Sequence, residues 1–456
     1  MFAVLNRKLF QPLMTWRSGS RHLRYLRELE RTQFDDPEVI RTRQELAVKK
    51  LLIHAYETVP FYRQRFEEIG FHPSDFRKLD DLCQLPILTK KDLRNAGDRL
   101  LSDAFKGKKL HLKKTSGSTG VPLSIQVNPE SVQWKTACTI RSDEWSGWRR
   151  GSRVAKVWGN PEYRQQGWKG WLRNRIVDRA IYLDTLDLDE QKLEGFVKSL
   201  RKHRPGLIFG HAHSLYLLAK YTLKHAPESI RPDGIISTAM ILHDWQRETI
   251  EEAFSCPVTN RYGCEEVSLI ASECEEHHGL HVNSDSLYAE VLPDSRLGHD
   301  FRTGFLTVTD LTNLAMPLIR YQVGDVVIQS REACPCGRGL PLLERVMGRE
   351  ADFILTPAGK LISGISLTEN FALQIPGTAQ IQLVQESRTL LRLRIVPSAE
   401  FNDESRREIA LQMLKLFGHE MRHEVELVDM IPQEPSGKYR FCISKVAQDY
   451  LRSFAA

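Results

Sequence analysis

Thr115-Ser116-Gly117-Ser118-Thr119-Gly120, preceded by Lys113 and Lys114 and followed by Pro122, sets small hydroxyl and glycine residues side by side. Glycine lets the backbone turn tightly and aim several N–H groups inward, which together with hydroxyls and lysines makes a nest for phosphate oxygens. A solvated Ser/Gly loop has the same composition, so the remainder of the chain has to decide between the two readings.

Three further stretches carry chemistry-bearing side chains. In Arg261-Tyr262-Gly263-Cys264-Glu265-Glu266 the expected strand at Val258 leaves the tyrosine and two carboxylates in a loop at its end, where open α/β sheets bind ligands. A ring there can stack on a base, and a carboxylate can hold Mg²⁺ against phosphate oxygens. Asp325, after the turn expected at Gly324, is placed to accept hydrogen bonds from ribose hydroxyls. Near the other end, Pro435-Ser436-Gly437 presents Lys438 on a rigid turn, a point charge that can enter a distant site if its domain swings over it.

Eight cysteines in a chain of this size with no recognisable export signal do not read as a disulfide framework. Cys83, Cys138, Cys256 and Cys442 stand alone. Cys274 opens Cys-Glu-Glu-His-His-Gly-Leu-His, and Cys334-Pro-Cys336 follows. One Cys and one His from the first cluster with both Cys of the second would complete a closed tetrahedral zinc set; His277, His278 and His281 all qualify as the fourth ligand.

The elements that must hold these groups alternate between helical and strand patterns. Helical spacing runs from Pro37 to Phe71, with Leu46, Leu51, Leu52, Ile53 and Tyr56 on one side, and breaks at Pro60. Thr89 is placed as the N-cap of a helix through Leu93, and helices are expected over 131–142, 214–224 and 244–254. Glycine-bounded apolar runs at 154–159 and 206–210 read as buried strands. This rhythm predicts an α/β protein with a buried sheet. With 456 residues it also predicts more than one domain. The expected boundaries are a basic helical extension over 1–35, a large domain over 36–350 and a small α+β domain over 351–456 carrying Lys438, with strands near 379–385 and 390–396 and a helix near 406–418.

Composition, 41% hydrophobic and 27% charged, is that of a globular protein. No apolar run approaches the roughly 20 residues of a membrane span, and the start is too short and too early broken by Arg7 and Lys8 for a secretory signal. The expected location is the cytoplasm, with peripheral contact at the inner membrane face as an option, because most of the net charge of +6 lies in residues 1–31. There Arg7, Lys8, Arg17, Arg21, Arg24, Arg27 and Arg31 face only Glu28 and Glu30. The favoured reading is a helix packed on the main domain with its arginines solvated; the alternative is an amphipathic surface touching anionic lipid or an acidic partner. Nothing resembles a nucleic-acid module.

In this order the motifs resemble the adenylate-forming (AMP-binding) superfamily, and within it the branch of phenylacetate–CoA ligases, capsular polysaccharide biosynthesis (CapK-like) proteins and coenzyme F390 synthetases. The resemblance rests on 115–122, on Tyr262-Gly263-x-x-Glu266, on Thr309-Asp310-Leu311 leading to Arg320-Tyr321-x-x-Gly324-Asp325, on Gly348-Arg349-x-x-Asp352 and on Pro435–Lys438. It reaches the N-terminal region through His54-Ala55-Tyr56, Val59-Pro60-Phe61-Tyr62 and Leu85-Pro86-Ile87-Leu88-Thr89-Lys90. It implies a large adenylation domain with mixed sheets and a small domain that rotates over the active site. It also implies an activity: ATP-dependent activation of a carboxylic acid as acyl-adenylate, release of pyrophosphate, and transfer of the acyl group, by default to CoA. Transfer to an amine or hydroxyl acceptor in cell-surface polysaccharide biosynthesis is the competing outcome, and a catalytically silent nucleotide binder a third.

By the same resemblance Thr115, Ser116, Gly117, Ser118, Thr119 and Gly120 hold the β- and γ-phosphates and Glu266 holds Mg²⁺. Tyr262 and Gly263 line the adenine, Asp325 and Arg349 the ribose, Lys438 bridges the carboxylate and α-phosphate, and Asp352 is the hinge. Relatives with zinc favour Cys274, His281, Cys334 and Cys336 as the ligands. Two departures stand out: Glu265 replaces the usual threonine, and Phe353-Ile354-Leu355-Thr356-Pro357 replaces the Lys- and Gly-containing stretch that helps accept the thiol. Acid-pocket residues are expected between Trp134 and His243, with His211, His213 and Ser237 as examples.

Overall fold

Apolar strands that are buried on both faces need helices on both sides, and the computed structural model of this chain builds that arrangement. It describes residues 2–114, 123–158, 167–168, 173–174, 178–185, 190–227, 229–294, 297, 300–349, 353–359, 361–363, 375–432 and 440–452. A short hairpin, β1 (His111–Lys114) and β2 (Ser124–Val127), comes first. The main sheet follows: β3 (Val154–Val157), β4 (Ala180–Leu183), β5 (Leu207–His211), β6 (Gly234–Thr238), β7 (Val258–Cys264), β8 (Ser268–Glu273), β9 (Leu280–Val282), β10 (Leu287–Pro293), β11 (Thr303–Asp310), β12 (Tyr321–Gln329) and β13 (Leu342–Arg349). Its 11 strands lie in the order β10-β11-β12-β13-β9-β8-β7-β6-β5-β3-β4.

The half from β7 to β4 is parallel, and β6 is buried along its whole length, as a parallel strand covered on both faces must be. The other half is antiparallel. β3 leads to β4 on one side, and the connection from β4 returns past β3 to β5 on the other, so the winding reverses and the sheet has a switch point between β3 and β5. Outside the carboxyl ends of strands at such a point, α/β sheets bind their ligands.

Two cores flank the sheet. Helices 190–203, 212–225 and 244–254 bury Val197, Leu200, Leu215, Leu218, Ile250 and Phe254 against Ile208, Ile235 and Val258. Helices Pro37–Thr58 and Pro60–Glu68 bury Leu51, Leu52, Tyr62 and Phe66 against the antiparallel half. Pro60 does not end helical structure there: it occupies the first position of a new helix, where its missing N–H costs nothing. The buried face of Pro37–Thr58 is Ile40, Gln44, Val48, Leu51, Leu52 and Ala55, while Leu46 and Ile53 are exposed. Leu51 and Leu52 are thus buried as expected while Leu46 and Ile53 are not, and Gln44 joins the buried face, donating to the Ser284 and Leu287 carbonyls.

The C-terminal part has its own sheet, β16 (Thr378–Ser387), β17 (Leu390–Pro397), β18 (Arg422–Leu427) and β19 (Cys442–Ser444), in the order β18-β17-β16-β19, covered by helix Asp403–Phe417. A second hairpin, β14 (Phe353–Leu355) with β15 (Leu361–Ser363), precedes it. Ile381, Leu383, Leu393, Ile409 and Met413 form a separate core. It meets the body where Leu355 and Ala447 pack on Phe305 and Val326, and where Phe441 stands edge-on to His213 and His243. The helices expected over 131–142, 214–224 and 244–254 are present as Pro129–Trp145, Ala212–His225 and Asp244–Phe254.

Candidate active site

β7 runs on through Tyr262 and Gly263 to Cys264, so these two are strand residues and only Glu265 and Glu266 lie in the turn into β8. The expected loop at Tyr262 is overridden by antiparallel pairing: Tyr262 opposes Ala271 and Gly263 opposes Leu269 across an irregularity in register. Gly263 is required there, since a Cβ would stand 2.5 Å from the Ser268 carbonyl oxygen. Asp325 likewise lies inside β12, opposite Arg349 in register, and not after a turn. The glycine before it has φ +90°, a local left-handed residue that bends the strand without ending it.

The structure brings three of the expected residues together. Tyr262 donates its hydroxyl to Asp325 Oδ2 at 2.5 Å. Glu266, 6% exposed, accepts from the Tyr321 hydroxyl at 2.9 Å, and Lys90 Nζ stands 3.9 Å from the same carboxylate oxygen. Glu266 pushes the Tyr321 phenol, already buried, further above its ordinary pKa, so Tyr321 is a fixed donor. Lys113, at the end of β1, donates to Ser268 Oγ at 2.5 Å and to the Glu265 carbonyl at 3.2 Å. Burial, then the neighbouring Lys135, lowers the Lys113 pKa. Lys114 pairs with Ser124 in register, and Lys113 ties this hairpin to the turn bearing Glu266. Thr115–Gly120 themselves, Asp352 and Lys438 lie outside the described residues, as does the side chain of Arg349.

The sequence offers Lys90 as part of a capping motif and of the 85–90 resemblance, with no site role. Thr89 does cap its helix, with Asp92 closing the capping box. A lysine in the first turn of a helix opposes the helix dipole, and that local violation was the available signal. The motif 85–90 docks beside β12: Leu88 N donates to the Arg320 carbonyl and Gln322 N to the Leu88 carbonyl, both at 2.9 Å. Arg320, at φ +52°, sends its guanidinium to Glu290 and to the Cys83 and Leu85 carbonyls. Behind it Tyr62 donates to the Pro317 carbonyl and accepts from Ile319 N, both at 3.0 Å, and His54 Nε2 meets the Leu314 carbonyl at 2.9 Å. The N-terminal motifs therefore brace the 314–322 segment that delivers Tyr321 and Asp325. Asp310, fully buried, pairs with Lys135 at 2.5 Å and accepts from Thr312 N and Asn313 N, which fixes the turn leading into that segment.

At the sheet's switch point Trp158, just after β3, and His211, ending β5, are in ring contact at 3.9 Å. His213, Ser237 and His243 are buried nearby in sequence-adjacent elements, and burial pushes His213 down to about 4, so it is a neutral imidazole at neutral pH. The three residues named as pocket examples thus lie at or just beyond the carboxyl ends of β5 and β6, as buried groups and not on the surface.

The donor atoms of Cys274, His281, Cys334 and Cys336 lie within 4.8 Å of one another. Cys274 Sγ and Cys334 Sγ are 3.6 Å apart, and Cys336 Sγ is 3.3 Å from His281 Nε2. A tetrahedral ion with bonds of about 2.3 Å needs sulfurs about 3.8 Å apart, so this set fits a structural zinc site. Burial holds His281 down at about 4, leaving Nε2 able to ligate, while Nδ1 faces the Leu340 carbonyl at 3.4 Å. Of the other histidines, His277 pairs with Glu273 and His278 lies 3.5 Å from Glu332. Arg338 N points at Cys336 Sγ, and its guanidinium stands over Trp145 while bonding Gln33 and Glu275.

Residues 354–445 match the model of the CapK C-terminal domain. The chain is 28% identical to a phenylacetate–coenzyme A ligase of Thermus thermophilus over 70% of its length and 72% of the relative's. It is 27% identical to Protein CapK of Staphylococcus aureus over 80% of its length and 81% of the relative's. Among solved structures, 2-hydroxyisobutyryl-CoA ligase in its postadenylation state with 2-HIB-AMP superposes with a TM-score of 0.68 at 22% identity, covering 91% of this chain and 92% of the other. The same ligase in its thioesterification state with CoA gives 0.56 at 21% identity, covering 91% of each chain.

Proposed function

We propose that this chain, a relative of the phenylacetate–coenzyme A ligases and of CapK that carries the fold of the adenylate-forming ligases, activates a carboxylic acid with ATP and passes the acyl group to CoA. The observation that carries this reading is the convergence at one end of the sheet of buried Glu266, the Tyr262–Asp325 pair and the tether from Lys113. These are the groups a nucleotide needs in three places: metal, nucleoside and phosphate.

In the first step a carboxylate oxygen attacks the α-phosphorus, the bond from that phosphorus to the bridging oxygen breaks, and pyrophosphate leaves. Thr115–Gly120 would hold the departing β- and γ-phosphates. Glu266 would hold Mg²⁺, which neutralises phosphate charge when bound. Tyr262 and Gly263 would line the adenine side, and Asp325 with Arg349 would hold the ribose. Lys438 would meet the carboxylate and α-phosphate where negative charge develops. In the second step a thiolate sulfur attacks the acyl carbon and AMP leaves. The zinc site would keep β8, β9 and the 334–336 loop in register, acting on catalysis only through the strands it fixes.

The acid's pocket is best placed at Trp158, His211, His213 and Ser237. Imidazole and hydroxyl walls favour an acid with hydrogen-bonding groups over a plain hydrocarbon acid. A second reading keeps the same first step and changes the acceptor to an amine or hydroxyl of a surface polysaccharide precursor. It is favoured by the CapK match and by Phe353–Pro357, which stands where the thiol-accepting pattern is expected.

Pyrophosphate release from ATP with matched acids, phenylacetate beside hydroxylated analogues, tests the first step; adding CoA or amine acceptors to the acid that works then separates the two readings. Tight nucleotide binding without pyrophosphate release by any acid would leave a silent binder and end both.

A further inference from the structure

The nucleotide site makes no use of residues 4–17. Helix Phe2–Leu5, the wider turn Asn6–Phe10 and helix Gln11–Arg17 follow one another without interruption, forming one rod. Its contact with the body is fixed at Asn6, which is fully buried, and at Gly151, where any Cβ would strike the Ala3 carbonyl and come within 3.1 Å of Arg7 N. That close seat determines which face looks outward.

The outward face is apolar. Val4, Leu5, Leu9, Leu13 and Met14 are each more than two-fifths exposed, and Trp16 is 79% exposed. The next helix, His22–Thr32, does the opposite: it buries Tyr25, Leu26 and Leu29 against Pro129–Trp145, stacks Tyr25 on Trp134 at 4.3 Å and keeps Arg24 and Arg27 in water. The expectation of a packed helix with solvated arginines therefore holds for 22–32 and fails for 4–17. A rod with its large apolar side chains in water is half of an interface.

Charge selects the other half. Lys8 and Arg17 are exposed among the apolar residues, Arg21 follows, and no acidic residue occurs before Glu28. A second copy of the chain would bring this cationic face against itself. An anionic bilayer offers what the face lacks: headgroup charge for the lysine and arginines, and an apolar layer for the leucines, with the tryptophan at the boundary between them. No helix among the described residues is long and apolar enough to cross a membrane, so the rod would lie in the interface.

We propose that residues 4–17 form a docking surface for anionic lipid bilayers, placing the ligase at a membrane face. The test uses the full chain floated with vesicles of phosphatidylcholine containing about one-third phosphatidylglycerol, beside pure phosphatidylcholine. Expected are binding to the anionic vesicles only, and a loss of about tenfold or more in the variant Leu9→Ser/Leu13→Ser/Trp16→Ser. That variant should keep the parent's circular dichroism and pyrophosphate release. The variant Arg7→Ser/Lys8→Ser/Arg17→Ser, which leaves the apolar face intact, should weaken binding and remove its salt dependence. Equal binding of the first variant, equal binding to neutral vesicles, or no binding at all would overturn the proposal. So would a wild-type dimer, indifferent to vesicles, that the first variant converts to monomer, or capture of an acidic protein by wild type that ignores vesicles.

Discussion

Glu266 is held from two sides, by a phenol that cannot ionise at neutral pH and by an amine 3.9 Å away. The Tyr321 hydroxyl and Lys90 fix the position of this carboxylate, which is 6% exposed, as a metal-holding group requires. Replacing it by Gln keeps the hydrogen bond from Tyr321 and removes only the charge. Glu266→Gln should therefore cut ATP–pyrophosphate exchange about a hundredfold or more with little change in melting temperature, whereas Tyr321→Phe should cost less than about tenfold. An exchange rate in Glu266→Gln within a few-fold of wild type would remove the carboxylate from the site. Lys438→Ala should abolish exchange while ATP still binds, measured by calorimetry beside the exchange assay. At this scale Glu266, Tyr262 and Asp325 were legible because their motifs have a fixed order. Lys113 was legible as a lysine flanking the phosphate stretch, but its bonds to Ser268 and to the Glu265 carbonyl were not, nor was Lys90 beside Glu266, because the tertiary fold decides which loop meets a lysine's end.

The cluster of Cys274, His281, Cys334 and Cys336 shows how an element inherits its position from distant sequence. Cys274 follows β8, His281 is within β9, and Cys334 and Cys336 lie in the loop from β12 to β13, so four donors converge only because β13 pairs with β9 and β9 with β8. Residue type and order gave the two clusters and left three histidines open; the family resemblance favoured His281, and the strand pairing brings it to the three cysteines, while His277 and His278 lie in the turn before β9. Strands were the less legible elements. Tyr262 read as a loop residue because the strand at Val258 was expected to end before it, and Asp325 because Gly324 suggested a turn, whereas the sheet continues through both, with an irregular register at Gly263 and a left-handed residue at Gly324. Helix starts at a cap or a proline were read closely at Thr89 and Pro37. If the set binds zinc, the purified protein should contain about one zinc per chain by elemental analysis. Cys334→Ser should lose it and melt about 5–10 °C lower, with exchange activity at low temperature largely kept. Zinc-free protein with an unchanged melting point would dismiss the site.

Across the whole molecule, function depends on how the C-terminal sheet sits on the body. In the arrangement described, it touches through Leu355 and Ala447 on Phe305 and Val326, and through the edge of Phe441 on His213 and His243. The second contact joins the small domain to the elements on which the acid's pocket is placed, and Phe441 stands only three residues after Lys438. With Lys438 proposed for the first half-reaction, this contact is expected to serve adenylation. An aromatic edge contact of this kind contributes about 0.5–1.5 kcal/mol, enough to shift a balanced two-state equilibrium by about two- to tenfold. Phe441→Ala removes it from one arrangement and from no other that lacks the contact. It should slow adenylation by that factor, measured as single-turnover pyrophosphate release, while thioester formation from preformed acyl-adenylate stays level or rises. A variant that slows both half-reactions equally would mean that Phe441 stabilises the small domain itself and does not select its position.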